Sequence, residues 1–254
     1  MKHISYTLII LVIFTMMGGS SAIAADIAEV LVFRPEGMPW CGTVDGKDVG
    51  LTVDILQEVT KHGGPKFRFE SVPWTRAQAY AQKKTGTTVI PLTRTPEREK
   101  QYTWIIKLVP NQARLTLVKN PKNNLSFPSP LTLENLKPYP VGIIRGSAFI
   151  STLEKLGFTH VEVVSIYEQN VKMLTAGRIA AVAEAKWVDI YNWKKFGGKI
   201  EDLIIGPEFG DPSYIYLGAG LDFPSGLTRQ IRDAMSKVEQ SGALETVREK
   251  WANF

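Results

Sequence analysis

The sequence predicts an α/β protein, and two observations carry that prediction. Several runs are almost entirely apolar, namely residues 30–33, 141–144, 161–164 (apart from Glu162) and 179–183. Such runs are typical of strands that are buried on both faces of a parallel sheet covered by helices. Between them, apolar residues recur at helical spacing, as in the stripe from Leu51 to Val59. Alternating strand and helix segments indicate the α/β class.

Three further helical stripes and two turn-rich zones complete the predicted order of elements. The stripes comprise Tyr167, Val171 and Leu174, then Leu227, Ile231, Ala234, Met235 and Val238, and finally Leu244, Val247 and Trp251. Residues 120–130 predict a loop in the middle of the chain, and residues 206–213 predict a second one. We therefore expect two α/β units, with the chain crossing between them near residues 109–112 and 211–214.

Composition excludes several classes of protein. The 254 residues are 44% hydrophobic and carry a formal charge of +5, which is ordinary for a globular chain and excludes a disordered one. A single cysteine, Cys41, excludes a disulfide framework and a Cys-rich metal site, and His3, His62 and His160 are too far apart to indicate a His cluster. Lys and Arg are scattered, which argues against nucleic-acid binding. We expect no metal and no cofactor.

The first 25 residues have the layout of a secretory signal peptide. Lys2 and His3 precede an uncharged run over residues 4–17, which Gly, Ser and the small-x-small segment 22–24 follow. An uncleaved membrane anchor is the alternative, but an anchor needs about 20 apolar residues, and the Gly/Ser segment interrupts the run. We expect residues 1–24 to be removed and the mature protein to work outside the cytoplasm.

A dense polar segment follows the apolar run 89–92. It contains Thr93, Arg94, Thr95, Pro96, Glu97 and Arg98. Thr95 and Pro96 suit the cap and the first position of a helix, so a capped surface helix is one interpretation. Ligands of α/β sheets, however, bind beyond the carboxyl ends of the strands, where this segment is expected to lie. An arginine there can offer two parallel donors to a carboxylate.

Six segments together carry a family resemblance, in the same order along the chain. Thr93–Arg98 resembles a TxTxER segment. The opening segment, PF…DG…GxxVDL, is matched by Pro39-Trp40, Asp45-Gly46 and residues 50–56 together. The other four are residues 72–76 (VPWxR), 141–147 (VGVxxGT), 174–179 (LxxGRxDA) and 241–251 (DGTLxKIxxKW). These motifs resemble the family-3 extracellular solute-binding proteins, the polar amino-acid receptors of bacterial ABC importers. The likeness covers nearly all of the chain that follows the signal segment.

The resemblance implies two α/β lobes that two hinge strands join, the type II or Venus-flytrap periplasmic binding protein. It implies a first lobe of residues 25–110 and 214–254 and a second lobe of residues 111–213. The implied function is a periplasmic receptor that captures a small carboxylate-bearing solute, an amino acid or a related organic acid. An inner-membrane ABC permease would be the partner, and we expect a monomer.

The resemblance also implies which residues contact the solute. Arg98 would hold the carboxylate, with Thr93 beside it. Gly146 and Ser147 would begin a helix of the second lobe, whose free N–H groups favour an anion. Trp40 and Trp74 would form apolar walls or, alternatively, pack in the core. The remaining candidates from these motifs are Arg76, Arg94 and Arg145.

The sequence departs from the family pattern where an Asp usually meets the ligand's ammonium group. That position is Ala185 in this chain. Glu184 precedes it and would point to the opposite face of a regular strand, unless the strand has already ended. Glu36 in the opening loop is a second candidate counter-ion, with a solvated carboxylate as the simpler interpretation. Recognition of an amino group is therefore an open question from the sequence.

An enzyme on the same fold is the alternative function. A few proteins of this fold are exported cyclohexadienyl dehydratases, which would need a titratable group in the cleft. Glu36, Glu184 and Glu208 are the available carboxyls, and none lies in a catalytic motif that we identify. A sensor module of a membrane kinase, a third class, would need further domains. The sequence therefore favours a binding protein over an enzyme.

Overall fold

The computed structural model describes residues 29–119 and 126–252. Its strands are β1 (Glu29–Arg34), β2 (Gly42–Val44), β3 (Lys47–Val49), β4 (Lys66–Ser71), β5 (Thr87–Thr93), β6 (Thr103–Val118), β7 (Val141–Ile144), β8 (Val161–Val164), β9 (Ala181–Ala185) and β10 (Leu203–Ala219). Its helices are α1 (Leu51–Lys61), α2 (Trp74–Lys83), α3 (Leu133–Leu136), α4 (Ile150–Leu156), α5 (Tyr167–Thr175), α6 (Lys186–Lys195), α7 (Ser225–Gln240) and α8 (Ala243–Ala252). Short 3-10 helices cover Pro96–Arg98 and Ile200–Asp202.

One eight-stranded sheet runs through the described part of the molecule in the order β4-β1-β5-β10-β6-β9-β7-β8. The pairs β1–β4, β1–β5, β7–β8 and β7–β9 are parallel, whereas β10 pairs antiparallel with both β5 and β6. The prediction of a mostly parallel sheet for the apolar runs is therefore confirmed. We call the half that is built on β4, β1 and β5 the first lobe, and the half that is built on β9, β7 and β8 the second lobe.

Each lobe has its own hydrophobic core. In the first lobe, the apolar faces of α1, α7 and α8 pack on one side of the sheet, as the predicted stripes require, and α2 packs on the other side. In the second lobe, the strands pack against a cluster that includes Phe149, Leu153 and Phe209. A further cluster around Leu174 and Trp193 covers the opposite face. Burial on both faces explains why β7 carries no charged residue, whereas β8 at the edge of the sheet is partly exposed and contains Glu162.

Two long strands connect the lobes. β6 and β10 pair along most of their length, from Thr103 beside Ala219 to Val118 beside Leu203. Their register shifts between Phe209 and Ser213, close to the predicted crossing at residues 211–214. The pair extends from the first lobe into the second, so both lobes share these strands.

The helical predictions agree with the observed elements, with small differences at the ends of strands. Helices are observed at all four predicted stripes, and the strand predicted at 179–183 spans Ala181–Ala185. The whole predicted signal peptide, residues 1–24, and part of the predicted middle loop, residues 120–125, lie outside the described residues. No helix among the residues that are described is long and apolar enough to cross a membrane.

Candidate functional site

A cavity lies between the two lobes, at the carboxyl ends of β5, β7 and β9. The space in it that water can occupy is about 40 Å³ in this closed form, and the cavity opens to solvent at one side. The lining residues are Trp40, Trp74, Pro91, Thr93, Asn111, Ile144, Ser147, Phe149, Tyr167, Glu184, Ala185, Val188 and Ile215. Both lobes and the crossing strands therefore contribute to its wall, which is the position expected for a ligand in an α/β sheet.

Arg98 lies directly behind this wall, in the 3-10 helix that follows β5. Its Nη1 donates to the Thr93 carbonyl at 3.2 Å, and its Nη2 donates to Gln78 Oε1 and to the Gly146 carbonyl, both at 2.9 Å. Burial lowers the pKa of Arg98. These three acceptors are neutral, and no described carboxylate forms an ion pair with Arg98. The guanidinium is therefore desolvated with no described carboxylate in hydrogen-bond contact, and Tyr102 and Glu97 only partly offset the effect of burial on its pKa.

The Gly146 carbonyl joins the second lobe to the first. Besides Arg98, it accepts hydrogen bonds from Trp74 Nε1 at 3.0 Å and from Gln78 Nε2 at 3.2 Å. Trp74 and Gln78 both lie on α2 of the first lobe. A second contact between the lobes is the exposed ion pair of Glu97 with Lys155, at 2.5 Å. The structure is therefore that of a closed pair of lobes.

Glu184 brings a carboxyl to the cavity from the second lobe. It is 7% exposed, and its Oε1 accepts a hydrogen bond from the Ile144 amide at 3.2 Å. Burial raises the pKa of Glu184 to about 8, and the Ile144 hydrogen bond offsets this only in part. The expectation that Glu184 points away within a regular strand is wrong, because β9 continues to Ala185 and both residues still line the cavity. The cavity lies over the end of β9, where both neighbours border it.

Tyr167 separates the cavity from a smaller one inside the second lobe. Its ring lines both cavities, and the smaller one is also bordered by Asn170 and Asp189. Both amide atoms of Asn170 and Oδ2 of Asp189 are buried without a hydrogen-bond partner among the described residues. Burial raises the pKa of Asp189 well above its usual range. A buried polar chamber therefore lies next to Glu184.

Besides Glu184 and Ser147, three predicted site residues line the cavity. Thr93 accepts a hydrogen bond from Asn111 Nδ2 at 2.9 Å through its hydroxyl. Trp40 is 5% exposed, and it both packs in the first-lobe core and lines the cavity. Trp74 is half-buried, lines the cavity and also donates to Gly146.

Four other candidates lie away from the cavity wall. Glu36 binds the guanidinium of Arg34 at 2.8 Å rather than turning to the cleft. Arg94 is exposed and pairs with Glu99 at 2.5 Å. Arg76 and Arg145 are exposed, on α2 and after β7 respectively. None of these four borders the cavity, so the structure does not bring them together with Arg98.

The predicted helix start at Gly146 and Ser147 is wrong. Helix α4 begins at Ile150, and the Ser147 amide donates to the Ile144 carbonyl at 3.0 Å, so it belongs to a tight turn. Gly146 has φ +78°, a left-handed conformation that suits glycine and turns the chain after β7. Ser147 nevertheless lines the cavity. The loop contributes a carbonyl acceptor at Gly146, not the free N–H groups of a helix.

Sequence reasoning missed Gln78, Asn111 and Tyr167 as site residues. Tyr167 was assigned to a helical stripe, and it does begin α5, but its ring faces the cavity. Gln78 and Asn111 lie in segments whose local pattern contains no signal for binding. Within the described residues, no cluster of His, Cys, Asp and Glu is suited to hold a metal ion.

Comparisons with known proteins agree with this architecture. The family model of the bacterial extracellular solute-binding proteins, family 3, matches residues 31–254. An Escherichia coli (strain K12) protein described as an arginine-binding protein of an ABC transporter is 25% identical over 246 residues, which is 91% of this chain and 93% of the relative.

Solved structures share the fold. An arginine-, lysine-, histidine-binding protein of Geobacillus stearothermophilus has a TM-score of 0.73 and 20% identity, covering 89% of this chain and 96% of that one. A histidine kinase sensor domain with similarity to periplasmic binding proteins has a TM-score of 0.78 and 14% identity, covering 90% and 98%. With the family model matching residues 31–254, the chain belongs to the bacterial extracellular solute-binding proteins, family 3.

Proposed function

We propose that this protein is a periplasmic receptor that captures a small carboxylate-bearing solute, an amino acid or a related organic acid, and delivers it to an ABC permease. The observation that carries this proposal is Arg98. A mostly buried guanidinium that has only neutral oxygens as partners is electrostatically incomplete, and a ligand carboxylate would complete it. In this proposal the lobes comprise residues 25–110 with 214–254, and residues 111–213.

The carboxylate would reach Arg98 through the cleft between Thr93 and Gly146. Of the five N–H donors of a guanidinium, three are engaged in the described structure. A ligand carboxylate can use the remaining donors or displace the Gly146 carbonyl from Nη2. A charged acceptor is the stronger partner, because charge-assisted hydrogen bonds are roughly twice as strong as neutral ones.

Glu184 is the proposed partner for a cationic group of the solute. Arg98 and Glu184 bind the same short segment, one at the Gly146 carbonyl and the other at the Ile144 amide. A guanidinium of the first lobe and a carboxyl of the second thus contact the same loop, and Glu184 also lines the cavity. A zwitterion such as an α-amino acid matches this arrangement, and the arginine-binding relative is consistent with it.

Closure would follow from contacts that only the closed form can make. A solute that binds Arg98 of the first lobe and Glu184 of the second stabilises the closed form, because the open form cannot offer both groups together. A solute that touches one lobe alone cannot shift the equilibrium. The closed pair of lobes is then the shape that a permease would bind.

Native mass spectrometry of freshly purified protein tests the function directly. We expect a co-purified small molecule with a carboxylate, and calorimetric titration with the twenty amino acids and common organic acids then measures affinity. Binding only of uncharged solutes would contradict the proposal. The same preparation tests export, because intact mass should show a chain that begins near Ala25 or Asp26 if residues 1–24 are removed.

A cyclohexadienyl dehydratase-like enzyme is the second candidate, and Glu184 is the observation that favours it. A carboxyl in a cavity whose pKa is raised to about 8 has the property of a general acid. Incubation with prephenate or arogenate discriminates the two functions, because an enzyme consumes the substrate. Glu184→Gln should abolish that turnover if it occurs, whereas a receptor leaves both compounds unchanged.

A further inference from the structure

The Gln78 side chain accepts one hydrogen bond and donates another. Its Oε1 accepts from Arg98 Nη2 at 2.9 Å, and its Nε2 donates to the Gly146 carbonyl at 3.2 Å. Arg98 Nη2 itself donates to the same carbonyl at 2.9 Å. Three groups therefore form a closed triangle of hydrogen bonds, with Gln78 and Arg98 from the first lobe and Gly146 from the second.

The side chain at this corner of the triangle must both accept and donate a hydrogen bond, as a carboxamide does. A guanidinium offers donors alone, and a backbone carbonyl offers acceptors alone. These two neighbours fix which end of the Gln78 amide faces each of them, so no alternative flip satisfies both. A carboxylate would keep the bond to Arg98 but lose the donor, and an apolar side chain would lose both.

The Gly146 side of the contact is equally specific. Gly146 has φ +78°, and a Cβ added there would lie 2.9 Å from both Gln78 Nε2 and Thr75 Cγ2. A side chain at this position would therefore force Thr75 and Gln78 of α2 to shift. Trp74 Nε1, one turn earlier on α2, donates to the same carbonyl at 3.0 Å. The close approach and the hydrogen bonds support one another.

We propose that Gln78 is a positioning residue, which orients the Arg98 guanidinium and holds it against the Gly146 carbonyl. These hydrogen bonds between the lobes would stabilise the closed form even without a solute. The proposal rests on the proposed function only where it concerns the solute carboxylate. Gln78 does not line the cavity, so it acts on binding through Arg98 and through the population of the closed form. The inward orientation of Arg98 and closure of the lobes are then one event.

Interlobe distances in the protein without added solute test the proposal. Spin labels at Lys61→Cys on α1 and Lys172→Cys on α5 report on the two lobes, because both lysine side chains are well exposed and Cys41 is fully buried. We expect Gln78→Met, which is nearly isosteric and apolar, to shift the distance distribution toward longer values. Gln82→Met is the matched control, since Gln82 lies one turn further along α2 and is exposed. Equal distributions for Gln78→Met and wild type would overturn the proposal.

Binding measurements with L-arginine and L-glutamate as probes separate orientation of Arg98 from simple packing. For the probe that binds wild type, loss of two net hydrogen bonds predicts about 30-fold weaker binding in Gln78→Met. Gln78→Glu should weaken binding more, because its charge neutralises Arg98. If Gln78→Glu binds as well as wild type, the positioning role is wrong. If neither probe nor any other carboxylate binds wild type, the proposed function fails, while the distance distributions still decide on the contact.

Discussion

Two arginines of the first lobe, Arg34, which is buried, and Arg98, which is partly buried, differ in how their charges are satisfied. Arg34, 1% exposed in β1, donates to Glu36 and Asp48 and also to Thr43 Oγ1 at 2.8 Å. Burial opposes its charge, but the hydrogen bonds to Asp48 and Glu36 prevail and raise the pKa of Arg34. Arg98 has only neutral oxygens, and burial lowers the pKa of Arg98.

The difference distinguishes a structural arginine from one that is available for a ligand. The carboxylates of Arg34 come from its own lobe, so its network is complete whatever the second lobe does. Arg98 draws one of its three acceptors from the second lobe, and all three are uncharged. A search for buried basic groups alone would rank Arg34 first, and only the nature of the partners reverses that order.

Replacing Arg34 should cost the most stability. Arg34→Met removes the hydrogen bonds from a buried guanidinium to Glu36 and Asp48, but the side chains of these carboxylates are 54% and 37% exposed, so we expect a loss of about 1.5–3 kcal/mol. Urea unfolding measures the loss. Arg68→Met is the control, because it breaks an exposed pair with Glu29 and should cost less than about 1 kcal/mol. Equal stabilities of the two variants would show that the Arg34 network is not structural.

Replacing Arg98 should instead affect binding. Arg98→Ala should weaken binding of a carboxylate ligand by about 2–5 kcal/mol, as for truncation of one partner of a buried charge pair. It should destabilise the fold less than Arg34→Met, because no carboxylate loses its counter-ion. Calorimetric titration measures the affinity, and Arg94→Ala, an exposed arginine in the same segment, should leave it unchanged. Retained affinity in Arg98→Ala would reject the assignment.

Glu184 should make stability fall as pH rises. Its folded pKa of about 8 exceeds the ordinary value of 4.5, so between these values the folded protein holds a proton that the unfolded chain has lost. The stabilisation is complete below pH 4.5 and disappears as pH rises through 8. Glu184→Gln should flatten this slope in urea unfolding, and an unchanged slope would place the titration elsewhere.

Two neighbours of Glu184 limit that flattening. Tyr167 and Asp189 face it, and burial raises the pKa of each. In Glu184→Gln, titration of Asp189 should therefore still make the free energy of unfolding fall as pH rises. The double variant Glu184→Gln with Asp189→Asn should remove most of this dependence. A cationic ligand at Glu184 should release a proton on binding at pH 7, which calorimetry in buffers of different ionisation enthalpy detects. Absence of proton release would contradict the proposed role of Glu184.

The exposed contact between the lobes should matter least. The Glu97–Lys155 pair is well solvated on both sides, so Glu97→Gln should change affinity by less than about 1 kcal/mol. Glu134→Gln, which breaks a similar exposed pair within the second lobe, is the control. An effect of Glu97→Gln on affinity as large as that of Arg98→Ala would show that this pair, and not the contact at Gly146, is the interlobe contact that controls affinity.

Local patterns predicted much of the fold and part of the site. Apolar stripes identified the helices because burial of one helical face leaves a periodic signature. For Glu184, reasoning from the local pattern failed. Alternation along β9 correctly describes a regular strand, but the cavity lies over the end of that strand, and its position depends on β7 and on the Ile144 amide.

The sequence by itself determined the α/β class, the helices and, through its motifs, the family and the importance of the Arg98 segment. Tertiary structure decided which buried arginine keeps counter-ions, that Glu36 belongs to Arg34, and that Gln78 and Trp74 meet Gly146. The physical reason is separation along the chain. The Trp74 and Arg98 bonds to Gly146 join residues 72 and 48 positions apart, and no local periodicity encodes such contacts.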